Sequence, residues 1–436
     1  MSSNTCPEPR TLSRRHVLKR GAVAAAAGAA APVFSGWATP LTPAANAAAL
    51  PLVTPKWSQL AVESFGVCAM PLHDHSVYQY RSAWIGNLAA MGASFIRGAY
   101  KNGAAPTYET VKLLRERRMK WEMVLVNDLS QSDADIRARV NDIAAKAADV
   151  CLAVEGINEP NHNRGGGSVP ANWRELTLQK QKVLWQTVQA APALRGKPVL
   201  GPSLQMVKAT EADFQWFATH GLNNYMTHAG THCYAGGGYI DSNFDSKTQA
   251  MRKHWRKPVW ITETGYTNAL ANTGGQRPVP EWVSGIYAPA AALEAIDRNW
   301  KVNWFEVLDD VDPGAKSNPE ANFGLWAVGS TISPAGWRAK PAAVALKGIL
   351  NGLKDPGPAY QPRPVGLRVT AATPDVRWTA LGKRDGSVRL YLRRTVDVYD
   401  ARTDRKLSVG TAKVTITSAK GTRTVYVGPE VTSVLL

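Results

Sequence analysis

From residue 64 onward the chain alternates between unbroken apolar runs and amphipathic stretches. The apolar runs recur at a spacing near thirty residues: SFGVCAM (64–70), SFIRGAY (94–100), WEMVLVN (121–127), VCLAVEGIN (150–158), PVLGPSL (198–204), MTHAGTHCY (226–234), PVWITETG (258–265) and VNWFEVL (302–308). None alternates apolar with polar, which is the pattern of strands buried on both faces of a parallel sheet. Between them lie helical stretches. YETVKLLRERRMK carries Val111, Leu113 and Leu114, and DADIRARVNDIAAKAADV places Ile136, Val140, Ile143 and Ala144 at helical spacing. Eight strands alternating with helices predict an α/β fold, a (β/α)8 TIM barrel over residues 48–355. No Gly-x-Gly-x-x-Gly follows any of these strands, so a dinucleotide site has no support.

The texture changes near the carboxyl end. Pro356, Pro358, Pro362 and Pro364 mark a linker over 356–364. Beyond it, GLRVTAA, VRWTALG, VRLYLRR, AKVTITS and RTVYVG alternate apolar with polar and are separated by turns such as KRDGS. Residues 365–436 therefore read as a small antiparallel all-β domain, a β-sandwich. At the other end, residues 1–47 do not read as fold. Ser13-Arg14-Arg15 precedes an Ala/Gly/Val stretch that closes on Ala45-Asn46-Ala47. This is the layout of a signal peptide, here of the twin-arginine type, and predicts a secreted or wall-associated product.

Composition narrows this further. A hydrophobic fraction of 44% and 15 tryptophans exclude a disordered chain. No later run reaches the ~20 apolar residues of a membrane span. Past the leader only Cys68, Cys151 and Cys233 remain, each in or beside an apolar run, so buried free thiols are expected and no zinc spacing is present. The formal charge is +17. Residues 363–436 carry fourteen Lys/Arg against six Asp/Glu, so much of the excess lies in the β domain. It suits an acidic polysaccharide or an anionic cell wall, or simply a solvated face. No cofactor, metal or nucleic acid is expected, and a monomer is.

In a barrel the carboxyl ends of the strands form the active face. Strand two ends near Arg97 and strand four in Asn158-Glu159. Strand six ends in His232-x-Tyr234, strand seven in Thr262-Glu263-Thr264-Gly265, and strand eight carries Trp304. Two glutamates thus stand on one face. Facing carboxyl groups suit glycosidic cleavage, one giving a proton to the leaving oxygen and the other attacking the anomeric carbon or activating water. Arg97 and the Tyr234 hydroxyl would hold Glu263 as a carboxylate. Asn158 would bond a sugar hydroxyl, and Trp304 would offer a flat face to a sugar ring. Glu155, earlier on strand four, reads as a structural partner inside the barrel.

The set NEP on strand four, H-x-Y on strand six, TETG on strand seven and Trp on strand eight, with the strand-two arginine, resembles the retaining glycoside hydrolases of clan A over residues 60–350. The trailing β domain is similar to family 39 and its relatives, and the H-x-Y spacing to family 5. The resemblance implies Glu159 as acid/base and Glu263 as nucleophile, with Arg97, Asn158, His232, Tyr234 and Trp304 around the substrate. Family 5 enzymes carry a His after strand three, and VLVNDLS has none. Either His73 or His75, in the loop after strand one, fills that space, or the family is a different one.

Two other readings compete. His73-x-His75 matches the zinc pair of amidohydrolase-type barrels, although strand five ends in GPSLQ with no His. A non-catalytic carbohydrate- or wall-binding protein led by the basic β domain is the other. The loop NHNRGGGSVPANW after strand four, with Arg164, is where sugar choice is expected to reside.

Overall fold

The computed structural model describes residues 50–436 except 127, 163–167, 275 and 312–315, and leaves aside the side chains of 241 and 242. The signal-peptide reading of 1–47 and the Arg164 segment lie outside the described residues. All eight expected strands form: Phe65–Cys68, Phe95–Ala99, Lys120–Val126, Cys151–Ile157, a split fifth strand, Ala229–His232, Val259–Thr264 and Lys301–Trp304. Every neighbouring pair is parallel. Helices follow the strands in turn, from Arg81–Met91 after the first to Pro341–Leu353 after the eighth.

The fifth strand has a physical reason to break. Pro202 has no N–H to give a ladder and divides PVLGPSL into Val199–Leu200 and Leu204–Gln205. The first half pairs with strand four through Val154↔Val199, and the second with strand six through Leu204↔Thr231. A bridge between Leu200 and His228 completes the ring.

The barrel interior is layered. At the amino end Phe95, Ala153, Leu200 and Trp260 form an apolar plug. Above it Glu122, Glu155, Ser203, Thr262 and Asn303, all buried, make a polar floor. Gly66 gives this floor room, since a Cβ there would fall 2.2 Å from the Phe95 ring and 2.3 Å from Asn303 Oδ1.

The β domain is two four-stranded sheets face to face around Leu367, Leu390, Leu392, Val414, Ile416 and Val427. KRDGS forms the expected tight turn, with Gly386 at φ +84°. The domain takes in chain from before the barrel. Leu52–Val53 pairs with Val365–Ala371, and Lys56–Trp57 pairs with Val376–Gly382. The boundary at residue 48 thus shifts: 52–57 are edge strands of the sandwich, one on each sheet.

Sandwich and barrel meet through buried charge. Arg393, with no exposed surface, bonds Glu294 at 2.6 Å and Asp297 at 2.5 Å on the helix Glu281–Arg298. Thr379 Oγ1 donates to Asp297, and Val398 N–H donates to the Tyr287 hydroxyl at 2.9 Å. Burial alone would raise Glu294, but Arg393 and Arg298 outweigh it and hold its carboxyl at about 2.

A pH dependence follows. The folded value lies below the ordinary 4.5, so this contribution is complete above about pH 4.5 and is lost as the pH falls toward 2; it amounts to about 3 kcal/mol. Replacing Arg393 with Met leaves Glu294 buried without its main partner. The expected loss is about 3–5 kcal/mol of unfolding free energy near neutral pH. Urea unfolding of Arg393→Met between pH 7 and 3 should also show that the acid-side fall carried by this pair has gone.

Candidate active site

The site lies at the carboxyl ends of the strands, over the polar floor. Arg97, on strand two and 4% exposed, is its hub. Its Nε and Nη2 grip the Glu155 carboxylate at 2.6 and 2.8 Å. Nη2 also donates to Asn158 Oδ1 at 2.7 Å, and Nη1 to Glu263 Oε1 at 2.7 Å. One guanidinium thereby joins strands two, four and seven, using the planar fork that suits bidentate carboxylate binding. Burial opposes its charge, yet Glu155 and Glu263 more than offset this and raise Arg97 well above its ordinary value.

Glu263 has a second donor, the Tyr234 hydroxyl at 2.7 Å from Oε2. Burial, with Glu263 beside it, pushes that phenol well up, so Tyr234 keeps its proton and donates it. His232 Nδ1 lies 2.8 Å from Glu159 Oε1 and 3.2 Å from Glu263 Oε2. Its Nε2 faces Arg97 Nη2, a donor, at 3.4 Å. Nε2 must therefore accept, which places the proton of the neutral ring on Nδ1 between the two carboxyl groups.

Glu159 sits just past strand four. Its N–H donates to Ser203 O at 2.9 Å, and its backbone is left-handed at φ +50°. That conformation is costly for a residue with a Cβ and is held here by the strand five connection. The following turn, closed by His162 N–H to Glu159 O at 3.0 Å, brings His162 Nδ1 to 3.1 Å from Glu159 Oε2. The two glutamate side chains are 13% and 12% exposed, enough to meet a ligand.

Arg97, Asn158, Glu159, His232, Tyr234, Glu263 and His73 all line one cleft of about 1120 Å³. Asn158 Oδ1 is engaged by Arg97, and its amide nitrogen has no partner among the described residues. His73 stands at the rim, exposed.

Trp304 does not join them. It is 1% exposed and packs beside Tyr266 at 5.8 Å between centroids, outside the barrel wall. The strand pleat explains this. Asn303 points inward to Glu122, so Trp304 must point outward and the next residue inward again. The ring at the cleft is Phe305, packed with Cys68, Phe323 and Tyr234.

Several lining residues had no place in the sequence reading. His162 stands three residues after Glu159, the spacing that a closed turn brings back. Gln205 ends the split strand five and lies within 3.5 Å of His162 Nδ1. Glu122, a lone charge in an otherwise apolar run, was a visible signal of a buried interior group.

Among the described residues, the one group of three donors that could hold a metal ion is Glu159, His232 and Glu263, whose donor atoms lie within 4.8 Å of one another. Arg97 at 2.7 Å opposes a cation there, and the set suits proton transfer. His73 and His75 belong to no such group. Cys68, Cys151 and Cys233 are buried and free, as expected, with burial pushing each thiol up.

No family model matches the sequence, and a search of curated proteins finds no match. Among solved structures, a glucosidase from Croceicoccus marinus superposes with a TM-score of 0.50 at 11% identity, over 72% of this chain and 72% of that one. A β-glucosidase from Exiguobacterium marinum reaches 0.49 at 11% identity, over 67% and 98%. The catalytic domain of a family 30 xylanase from Talaromyces cellulolyticus reaches 0.48 at 12%, over 88% and 97%. At such identity the likeness to the Croceicoccus structure shows a shared fold alone.

The opposition between Arg97 and a metal can be measured. Elemental analysis of the purified protein should find no stoichiometric zinc, and a chelator should leave its unfolding midpoint unchanged. Bound zinc on which folding depends would return His73, His75 and the glutamates to a metal reading.

Proposed function

We propose that the protein is a retaining glycoside hydrolase acting on an oligo- or polysaccharide, exported by the twin-arginine route. One observation carries the reading. Two carboxyl groups, on strands four and seven, bring oxygens within 4.8 Å of each other in a cleft, in unlike surroundings. Retaining enzymes set their carboxyl groups about 5–5.5 Å apart, and inverting ones ~6.5–9.5 Å apart to admit a water. The short separation here supports retention.

The surroundings divide the roles. Glu263 accepts from Arg97 and Tyr234, donors that stabilise its ionised form and aim it. Among the described residues Glu159 meets two imidazoles, those of His162 and His232. In the first step a Glu263 oxygen attacks the anomeric carbon. The glycosidic C–O bond breaks, and Glu159 gives its proton to the departing oxygen. In the second, Glu159 takes a proton from water, the oxygen of that water attacks the same carbon, and the ester to Glu263 breaks. The two inversions leave the anomeric configuration unchanged. Glu159 ends protonated and Glu263 ionised, as both began.

The cleft is larger than the ~300–1,000 Å³ of drug-sized ligand pockets, which favours a substrate of several sugar units. Phe305 supplies an apolar floor, and Gln205, Asn272 and Gln276 supply polar rim groups. Lys208 and Lys247, also in the lining, suit a sugar with acidic substituents.

The test is a screen of chromogenic glycosides and soluble polysaccharides with wild type, Glu159→Ala and Glu263→Ala. Glu159→Ala should lower kcat/KM by about 10²–10⁴-fold, most for poor leaving groups. Azide should rescue both variants and give glycosyl azides of opposite anomeric configuration. NMR of the first product formed by wild type should show the anomer of the substrate. Full activity in either variant would sink the assignment.

A further inference from the structure

The glutamate pair does not use the two carboxyl groups beneath it. Glu155 and Glu122 are both 0% exposed. With Glu263 they bring three carboxyl groups around one guanidinium, since Arg97 Nε lies 2.6 Å from Glu155 and 3.8 Å from Glu122, and Nη1 lies 2.7 Å from Glu263. Three full negative charges on one buried cation would be expensive, because each unpaired buried charge costs several kcal/mol.

Hydrogen bonding shows where the proton goes. Both oxygens of Glu155 are held by donors, with one acceptor site left on Oε2. Both oxygens take Arg97, and Oε1 also takes the Ser203 hydroxyl at 2.5 Å, itself backed by Thr262 at 2.9 Å. Glu122 is the opposite. Oε2 accepts from Asn303 at 2.7 Å, while Oε1 is buried with no donor among the described residues. A bare carboxylate oxygen facing another carboxylate is the worst placement available. A proton on Oε1 turns that orphan acceptor into a donor directed at Glu155. Burial, then Glu155, push Glu122 well above the usual carboxylate range, whereas Arg97 holds Glu155 below it against burial.

We infer that Glu155 is a positioning residue that fixes Arg97 and takes a share of its charge from Glu263, and that Glu122 stays protonated to complete this floor. The inference rests on the glycosidase reading for its kinetic consequence. Glu155 meets Arg97 from strand two, Glu122 from strand three, Ser203 from between the halves of strand five and His232 from strand six. Glu263 meets Arg97, His232 and Tyr234, with Cys68 from strand one nearby. Among these, Arg97 is the one permanent cation. Its division between Glu155 and Glu263 sets how readily the nucleophile takes up a proton. When Glu263 is esterified in the covalent intermediate, Arg97 and Glu155 remain as a neutral pair, and the floor keeps its shape through both steps.

Two measurements test this. Infrared difference spectra at neutral pH, wild type against Glu122→Gln, need no substrate. They should show the carbonyl stretch of a protonated buried carboxyl that disappears in the variant. Absence of that band in wild type overturns the role of Glu122. The second is the acid limb of the kcat/KM profile, which follows protonation of the nucleophile. Glu155→Gln returns the charge of Arg97 to Glu263 and should move the limb to lower pH by about one unit. A merely structural role would loosen Arg97 and move the limb up, so an upward or unmoved limb overturns the proposal. Glu122→Gln, which copies a protonated carboxyl, should leave the limb where it is, and a unit shift would count against it. Should Glu155→Gln fail to fold, Ser203→Ala strips a donor from Glu155, draws it harder onto Arg97 and should shift the limb upward. A wild type inactive on every glycoside defeats the proposed function, while the infrared result still decides the state of Glu122.

Discussion

The guanidinium of Arg97 is the interaction on which the site depends. Among the described residues it is the one cation in contact with three carboxyl groups inside the barrel, and it ties strands two, four and seven at a single level. With it in place, Glu263 is held and aimed, Asn158 is oriented, and His232 directs its Nδ1 at the glutamate pair. Without it, buried negative charge would have to be neutralised by uptake of protons, and Glu263 would lose the donor that ties it to strand two. The proposed chemistry thus turns on how one charge is divided, more than on any single contact with a substrate.

That division needs a particular interior. Small and aromatic residues at the amino end of the barrel keep water from the floor below, and Gly66 opens the space that Phe95 and Asn303 occupy. In this dry layer electrostatic pairs act at low effective dielectric, so that filled and unfilled acceptors differ by far more than they would in water. The same condition favours a neutral Glu122 beside an ionised Glu155, two residues of one type separated by their donors alone.

Much of this was legible in the sequence, and the failures share a cause. Unbroken apolar runs gave all eight strands because burial on both faces leaves no polar position to break the run. Arg97, Asn158, Glu159, His232, Tyr234 and Glu263 stood at strand ends, and the structure gathers all six in one cleft. Trp304 was misplaced because a continuous apolar run hides the phase of the pleat; Asn303, the polar residue within it, was the marker that fixes Trp304 outward and Phe305 inward. The split at Pro202 was written in the residue itself. His162 and Gln205 were not legible, since a closed turn and a chain break, both tertiary in origin, bring them to Glu159. Residues 52–57 carried too short a pattern to announce that they pair with strands more than three hundred positions away.

That long-range pairing changes what the β domain is. A module hung on a proline linker could be removed without harm to the barrel. Here the chain enters through both sheets of the sandwich before it begins the first barrel strand, and the buried Arg393 reaches back to Glu294 and Asp297 on the seventh helix. Removing the sandwich would expose Glu294 without Arg393 and leave 52–57 with no sheet to join. That helix follows the strand bearing Glu263, and its ion pairs with Arg393 tie it to the sandwich. The basic surplus of the sandwich therefore includes charge committed to holding the barrel together, and only the remainder is free to meet an anionic polymer.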